Sequence, residues 1–127
     1  MKTPINTSHA PIPIGPYNQA IAAGGMLYIS GQVAIDPVSG EMVQDTIEQE
    51  TSQVLRNISG ILQAAGLSFA DVVKCSVFVK NIDDFSRINA VYAGFFDGTV
   101  APARELIQVV RLPKDANIEI SAIAMMK

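Results

Sequence analysis

The chain has 127 residues, of which 49% are hydrophobic and 17% charged, and its net charge is −3. That length suits one domain over residues 1–127 with a real core, and the composition excludes disordered and fibrous classes. The acidic balance disfavours nucleic acid as a partner. A single cysteine, Cys75, and a single histidine, His9, leave a zinc site short of ligands and leave a Ser-His-Asp or Cys-His nucleophile only His9 to rely on. No internal disulfide can form, which points to a reducing compartment. With no signal-like start and no run of about 20 apolar residues, the expected setting is cytoplasmic, or an organelle matrix if a targeting segment was trimmed, with no membrane partner.

Residues 1–16 are rich in Pro and small polar residues and read as irregular. Ile14-Gly15-Pro16-Tyr17 is a turn feeding a short strand near Gln19–Ala22. Gly24-Gly25 turns the chain into a strand over Met26–Val33, where apolar and polar positions alternate. Asp36-Pro37-Val38-Ser39-Gly40 is a further turn. The first helix should start at an Asp45 cap with Glu48 completing a capping box, and stop at Gly66. Its apolar stripe is Ile47, Val54, Leu55, Ile58, Ile61, Leu62 and Ala65.

Val72–Val79 reads as a strand with Val73, Cys75, Val77 and Val79 on one side. Asn81–Asp84 offers caps for a second helix with a stripe of Phe85, Ile88, Tyr92, Phe95 and Phe96, ended by Asp97-Gly98. Glu105–Val110 and Asn117–Met125 are two further strands joined through Leu112-Pro113-Lys114-Asp115. The expected order is β-β-β-α-β-α-β-β, an α+β mixed sheet with two helices on one face. The last two strands are apolar on both sides, so the uncovered face should pack on another surface, most simply a second copy of the chain.

Two polar residues stand out against this background. Arg104, in Ala101-Pro102-Ala103-Arg104, sits at the mouth of an apolar strand, where a guanidinium costs desolvation unless an anion meets it. Its planar fork grips a carboxylate with two parallel hydrogen bonds, which suggests a pocket for a small carboxylate. Glu119 lies inside an apolar strand, and a rim salt bridge with Arg104, Arg111 or Lys114 is an equal alternative to a catalytic role. Tyr17, Ser30 and Asn89 could line a pocket or serve as ordinary turn and helix residues. If the last two strands form a hairpin, Glu119 falls opposite Gln108 and Arg104 lies ~13 Å further along. The two side chains would then meet only across a subunit boundary.

Four segments in order, Ile14-Gly15-Pro16-Tyr17-Asn18-Gln19-Ala20, Leu27-Tyr28-Ile29-Ser30-Gly31-Gln32, Ala101-Pro102-Ala103-Arg104 and Arg111-Leu112-Pro113-Lys114-Asp115-Ala116-Asn117-Ile118-Glu119-Ile120, resemble the RidA (YjgF) family over essentially the whole chain. The resemblance implies a chorismate-mutase-like fold, related to the ferredoxin-like one, assembled as a homotrimer with clefts between subunits. It implies hydrolytic deamination of reactive 2-enamine/2-imine acids, such as 2-aminoacrylate and 2-iminobutanoate, to 2-keto acids and ammonia, which protects pyridoxal-phosphate enzymes. Carried over, Arg104 holds the substrate carboxylate and Glu119 positions or activates water. Tyr17, Ser30, Gly31 and Asn89 line the cleft, and the backbone of Leu106 contacts the substrate. No cofactor or metal is implied.

Two departures from the family pattern bear on substrate preference. Glu105 stands where many relatives carry Ser or Thr, and by alternation it should point away from the Arg104 side. Ser121 replaces a Glu found in some relatives. The competing readings are a trimer that binds or senses small carboxylates without turnover and, against the acidic charge, an RNA-directed inhibitor of translation.

Overall fold

A computed structural model describes residues 1–127. Six strands form one sheet: β1 (Thr3–Ile5), β2 (Ala20–Ala23), β3 (Met26–Gln32), β4 (Val72–Val79), β5 (Ala103–Gln108) and β6 (Ile118–Met125). The helices are α1 (Ile47–Ala64) and α2 (Phe85–Phe95). The spatial order is β1-β2-β3-β6-β4-β5, with β4 and β5 parallel and every other pair antiparallel. This is the expected α+β mixed sheet, and the order of elements is as read. No helix is long and apolar enough to cross a membrane.

Four local expectations are corrected. The first strand lies at Thr3–Ile5, inside the stretch read as irregular, and pairs with Ala20–Ala22. A proline, Pro4, is tolerated there because the strand is at the sheet edge. The cap of α1 is Thr46, not Asp45: Thr46 is the last extended residue, and its hydroxyl accepts from the Gln49 amide at 3.1 Å. Glu48 closes no box; its carboxylate takes Arg87 of α2 at 2.6 and 2.9 Å. On β4 the buried side is Val72, Cys75, Val77 and Val79, while Val73 is exposed. An irregularity between Val72 and Lys74 shifts the register by one residue and turns Val73 outward.

The fourth correction changes the geometry of the site. The last two strands are not a hairpin. β4 lies between them, pairing with β5 on one side and β6 on the other. Glu119 therefore shares a row with Phe78 and Ile107, and not with Gln108. The connection from β4 through α2 makes β5 parallel to β4, as a helical crossover demands.

The core lies between the sheet and the helices. Val54, Leu55, Ile58, Ile61 and Leu62 of α1 are at most 1% exposed and pack with Leu27, Val77, Ile118, Ile120 and Ala124. Strand β6 alternates as expected, with Ile118, Ile120, Ala122 and Ala124 buried. Its other side shares the uncovered face with Tyr28, Phe78 and Ile107.

Candidate functional site

One cluster forms around Glu119. Strand β3 carries a bulge between Ile29 and Gln32, spanning Ser30 and Gly31 against β6. Bulges re-aim the chain and recur beside functional sites. Here Gly31 lies directly against the Glu119 side chain, and a Cβ on Gly31 would come within 2.6 Å of a carboxylate oxygen. The glycine supplies space, not an unusual backbone angle. Ser30 donates its hydroxyl to the Asn18 carbonyl at 2.7 Å, and its amide donates to the Gln19 carbonyl. These bonds hold the turn that presents Tyr17, whose hydroxyl accepts from the Ile14 amide. Tyr17, Ser30, Gly31, Pro113 and Glu119 line one concavity.

Beneath this turn Gln19 is 2% exposed. Its amide group accepts from the Thr7 amide and donates to the carbonyls of Thr7, Ala10 and Pro11, tying the N-terminal segment down. The other wall comes from the turn before β6, where Lys114 and Asp115 both adopt positive φ, 61° and 51°. Two consecutive non-glycine residues in that region store strain, and such strain gathers at functional sites. The turn is closed by an ion pair from Arg111 to Asp115 at 2.7 Å.

Glu119 has no salt bridge and no hydrogen bond, so the rim pairing with Arg104, Arg111 or Lys114 does not form. Burial alone pushes its carboxyl above the usual range. A carboxylate in that state is a better proton acceptor than an exposed one.

The second cluster forms around Arg104. The side chain lies on the helix side of the sheet at edge strand β5. Its guanidinium donates to the Asn89 side-chain carbonyl at 2.8 Å, and its central carbon sits 4.8 Å from the Tyr92 ring centre and 5.8 Å from that of Phe85. All three neighbours come from α2, spaced so that they fall on one face of the helix. None is anionic, and Arg104 makes no salt bridge. Asn89, Tyr92, Phe96, Thr99, Ala101 and Arg104 line this concavity. Leu106 is two residues along β5 on the same side. Glu105 points the other way, as expected, and pairs with Lys74 at 3.0 Å and with the Ser76 hydroxyl.

The expected residues thus fall into two groups. Tyr17, Ser30, Gly31 and Glu119 are together; Asn89, Arg104 and Leu106 are together; the two groups are on different surfaces of one chain. Sequence reasoning did not identify Tyr92 and Phe85 as partners of Arg104. Their helical stripe was visible, but only the parallel placement of β5 beside α2 shows what the stripe meets. Glu50 was also missed. It is fully buried and accepts from both the amide and the side chain of Asn117, two residues before Glu119. No cluster of His, Cys, Asp and Glu has the arrangement of a metal site.

This fold and these residues match known proteins. The family model described as endoribonuclease L-PSP matches residues 7–126. A protein of Pyrococcus horikoshii named as a RutC family protein is 54% identical over 98% of each chain. The 2-iminobutanoate/2-iminopropanoate deaminase of Salmonella typhimurium is 44% identical over 98% of each. The crystal structure of E. coli TdcF with bound serine superimposes with a TM-score of 0.94 at 42% identity, covering 98% of this chain and 99% of that one. The chain belongs to the RidA (YjgF) family, also described as the endoribonuclease L-PSP family.

Proposed function

We propose that the protein is a deaminase of 2-imine and 2-enamine acids, acting in a cleft where the Arg104 group of one copy faces the Glu119 group of another. The observation that carries the reading is the state of Arg104: a half-buried guanidinium whose neighbours are an amide carbonyl and two aromatic faces, with no carboxylate of its own chain. Such a fork is available to a small organic acid. The Salmonella deaminase, at 44% identity, supports the reaction class.

The chemistry needs few parts. An enamine first takes a proton at its terminal carbon and gives one up from nitrogen to become the imine. Arg104 grips the substrate carboxylate, and the Leu106 backbone and Asn89 border it. Water adds to the C=N carbon while Glu119 accepts its proton and passes it to nitrogen; the new hydroxyl then gives its proton through Glu119 to the amino group, the C–N bond breaks and ammonia leaves, giving the 2-keto acid. Ser30, whose own proton is committed to Asn18, can accept from the imine N–H. Orientation and general-base help each contribute several powers of ten, so no metal or cofactor is called for.

The uncovered sheet face supports assembly. It carries Tyr28, Ile107 and Met125 at 47–55% exposure, with Ile123 and Phe78 beside them. Packing three copies on this face forms a trimer with three clefts, acting in the cytoplasm on small imino acids. A second reading, ligand binding without turnover, draws on the serine bound by TdcF. The test is pyruvate release from a pyridoxal-phosphate serine dehydratase reaction. Added protein should speed release, and Arg104→Ala should abolish the gain. No gain from the unmodified protein overturns the deaminase; binding of 2-keto acids with Glu119→Gln kinetically silent favours the second reading.

A further inference from the structure

Tyr92 is 8% exposed, and its hydroxyl is buried with no hydrogen-bond partner. It lies against Cys75, itself 1% exposed. The ring has a second contact that a core residue would not need. It lies under the Arg104 guanidinium at 4.8 Å, nearer than Phe85 at 5.8 Å. Asn89, three residues before Tyr92 and so on the same helix face, takes one guanidinium N–H at 2.8 Å.

We infer that Tyr92 is a positioning residue: its ring, with the Asn89 carbonyl, sets the plane of the Arg104 guanidinium so that the fork is aimed before the substrate carboxylate arrives. A guanidinium on a flexible stem loses orientational freedom on binding, and a ring face that holds it beforehand removes part of that cost. The ring does this without cancelling the charge. A carboxylate in the same place would hold the fork as firmly but would compete with the substrate.

This inference rests on the deaminase reading only for its kinetic arm. Tyr92→Phe keeps the ring and should raise KM less than removal of the ring does. Tyr92→Leu removes the π face and should raise KM for the imino acid roughly two- to thirty-fold, the range of a cation–π contact, with kcat little changed. The Arg104 Nε–H resonance of the free protein supplies an arm that needs no turnover. It should be shifted by the Tyr92 ring and sharp in the unmodified and Phe forms, and should move and broaden in a Leu form whose melting curve shows it folded. An Nε–H signal indifferent to Tyr92→Leu overturns the inference, as does a Phe form as impaired as the Leu form. A responsive signal in a protein without deaminase activity leaves the inference standing and removes the proposed reaction.

Discussion

Arg104 and Glu119 stand on opposite faces of one sheet, separated by strand β4. Arg104 shares its row with Cys75 and Ala122, whereas Glu119 shares its row with Phe78 and Ile107, three residues along. The offset is about 10 Å along the strands and about 10 Å across them. No side-chain rotation brings the two together through a packed sheet.

Mixing two inactive variants tests this arrangement. Arg104→Ala and Glu119→Gln should each lose activity alone. Co-refolded in equal amounts, they should recover about a quarter of the unmodified activity, because one interface in four then pairs an intact Arg104 group with an intact Glu119 group. Recovery of none places both roles in one chain.

Gly31→Ala separates folding from chemistry. The added methyl meets the flexible end of Glu119, not backbone, so the side chain moves aside and the melting temperature should change little. Displacing the carboxylate by about 1 Å should lower kcat by about 100-fold. A stable variant of full activity would show that Glu119 needs no fixed position.

The burial of Glu119 has a consequence for pH. Its carboxyl is raised by burial, so the protonated form is favoured in the folded state. The stability associated with that form is complete below the ordinary carboxylate value and is lost as pH rises through the elevated one. Glu119→Gln should therefore raise the melting temperature at pH 7 and make little difference below pH about 4. In the same way kcat/KM should fall on the acid side with a midpoint above the ordinary carboxylate value. Thermal melts and a pH–rate profile check both.

Arg104→Lys should behave as a loss, not a conservative change. Lysine keeps the charge but neither the two-pronged grip nor the flat stacking on Tyr92. One lost charge-assisted hydrogen bond raises KM roughly 10- to 100-fold. Steady-state kinetics with 2-iminobutanoate would show it.

Glu50→Ala should cost roughly 1–3 kcal/mol in denaturant unfolding, since the buried Asn117 amide and side chain lose their acceptor. An unchanged midpoint would remove Glu50 from the account of how strand β6 is anchored.

Much of the fold was legible because it rests on local periodicity. The α1 stripe, the alternation of β6 and the Gly24-Gly25 turn, with φ of 58° and 78°, follow from side-chain pattern and backbone freedom alone. Thr46 in place of Asp45 is an error of one residue, since cap identity depends on where the last extended angle falls. The supposed hairpin between β5 and β6 failed for a different reason. Sequence neighbours connected by a short turn usually pair, but here the buried row of β4 satisfies both strands and inserts between them.

The sequence by itself determined that a guanidinium and a carboxylate lie in apolar strands, and that two helices can cover only one face of the sheet. Those statements need only the cost of burying charge and the spacing of apolar residues. Tertiary structure decided the rest: that Arg104 rests on Tyr92 and Asn89, that Glu119 is unpaired above Gly31, and that the two face away from each other. Pairing order and bulges set which rows align, and these depend on contacts between residues far apart in the chain, which no local pattern encodes.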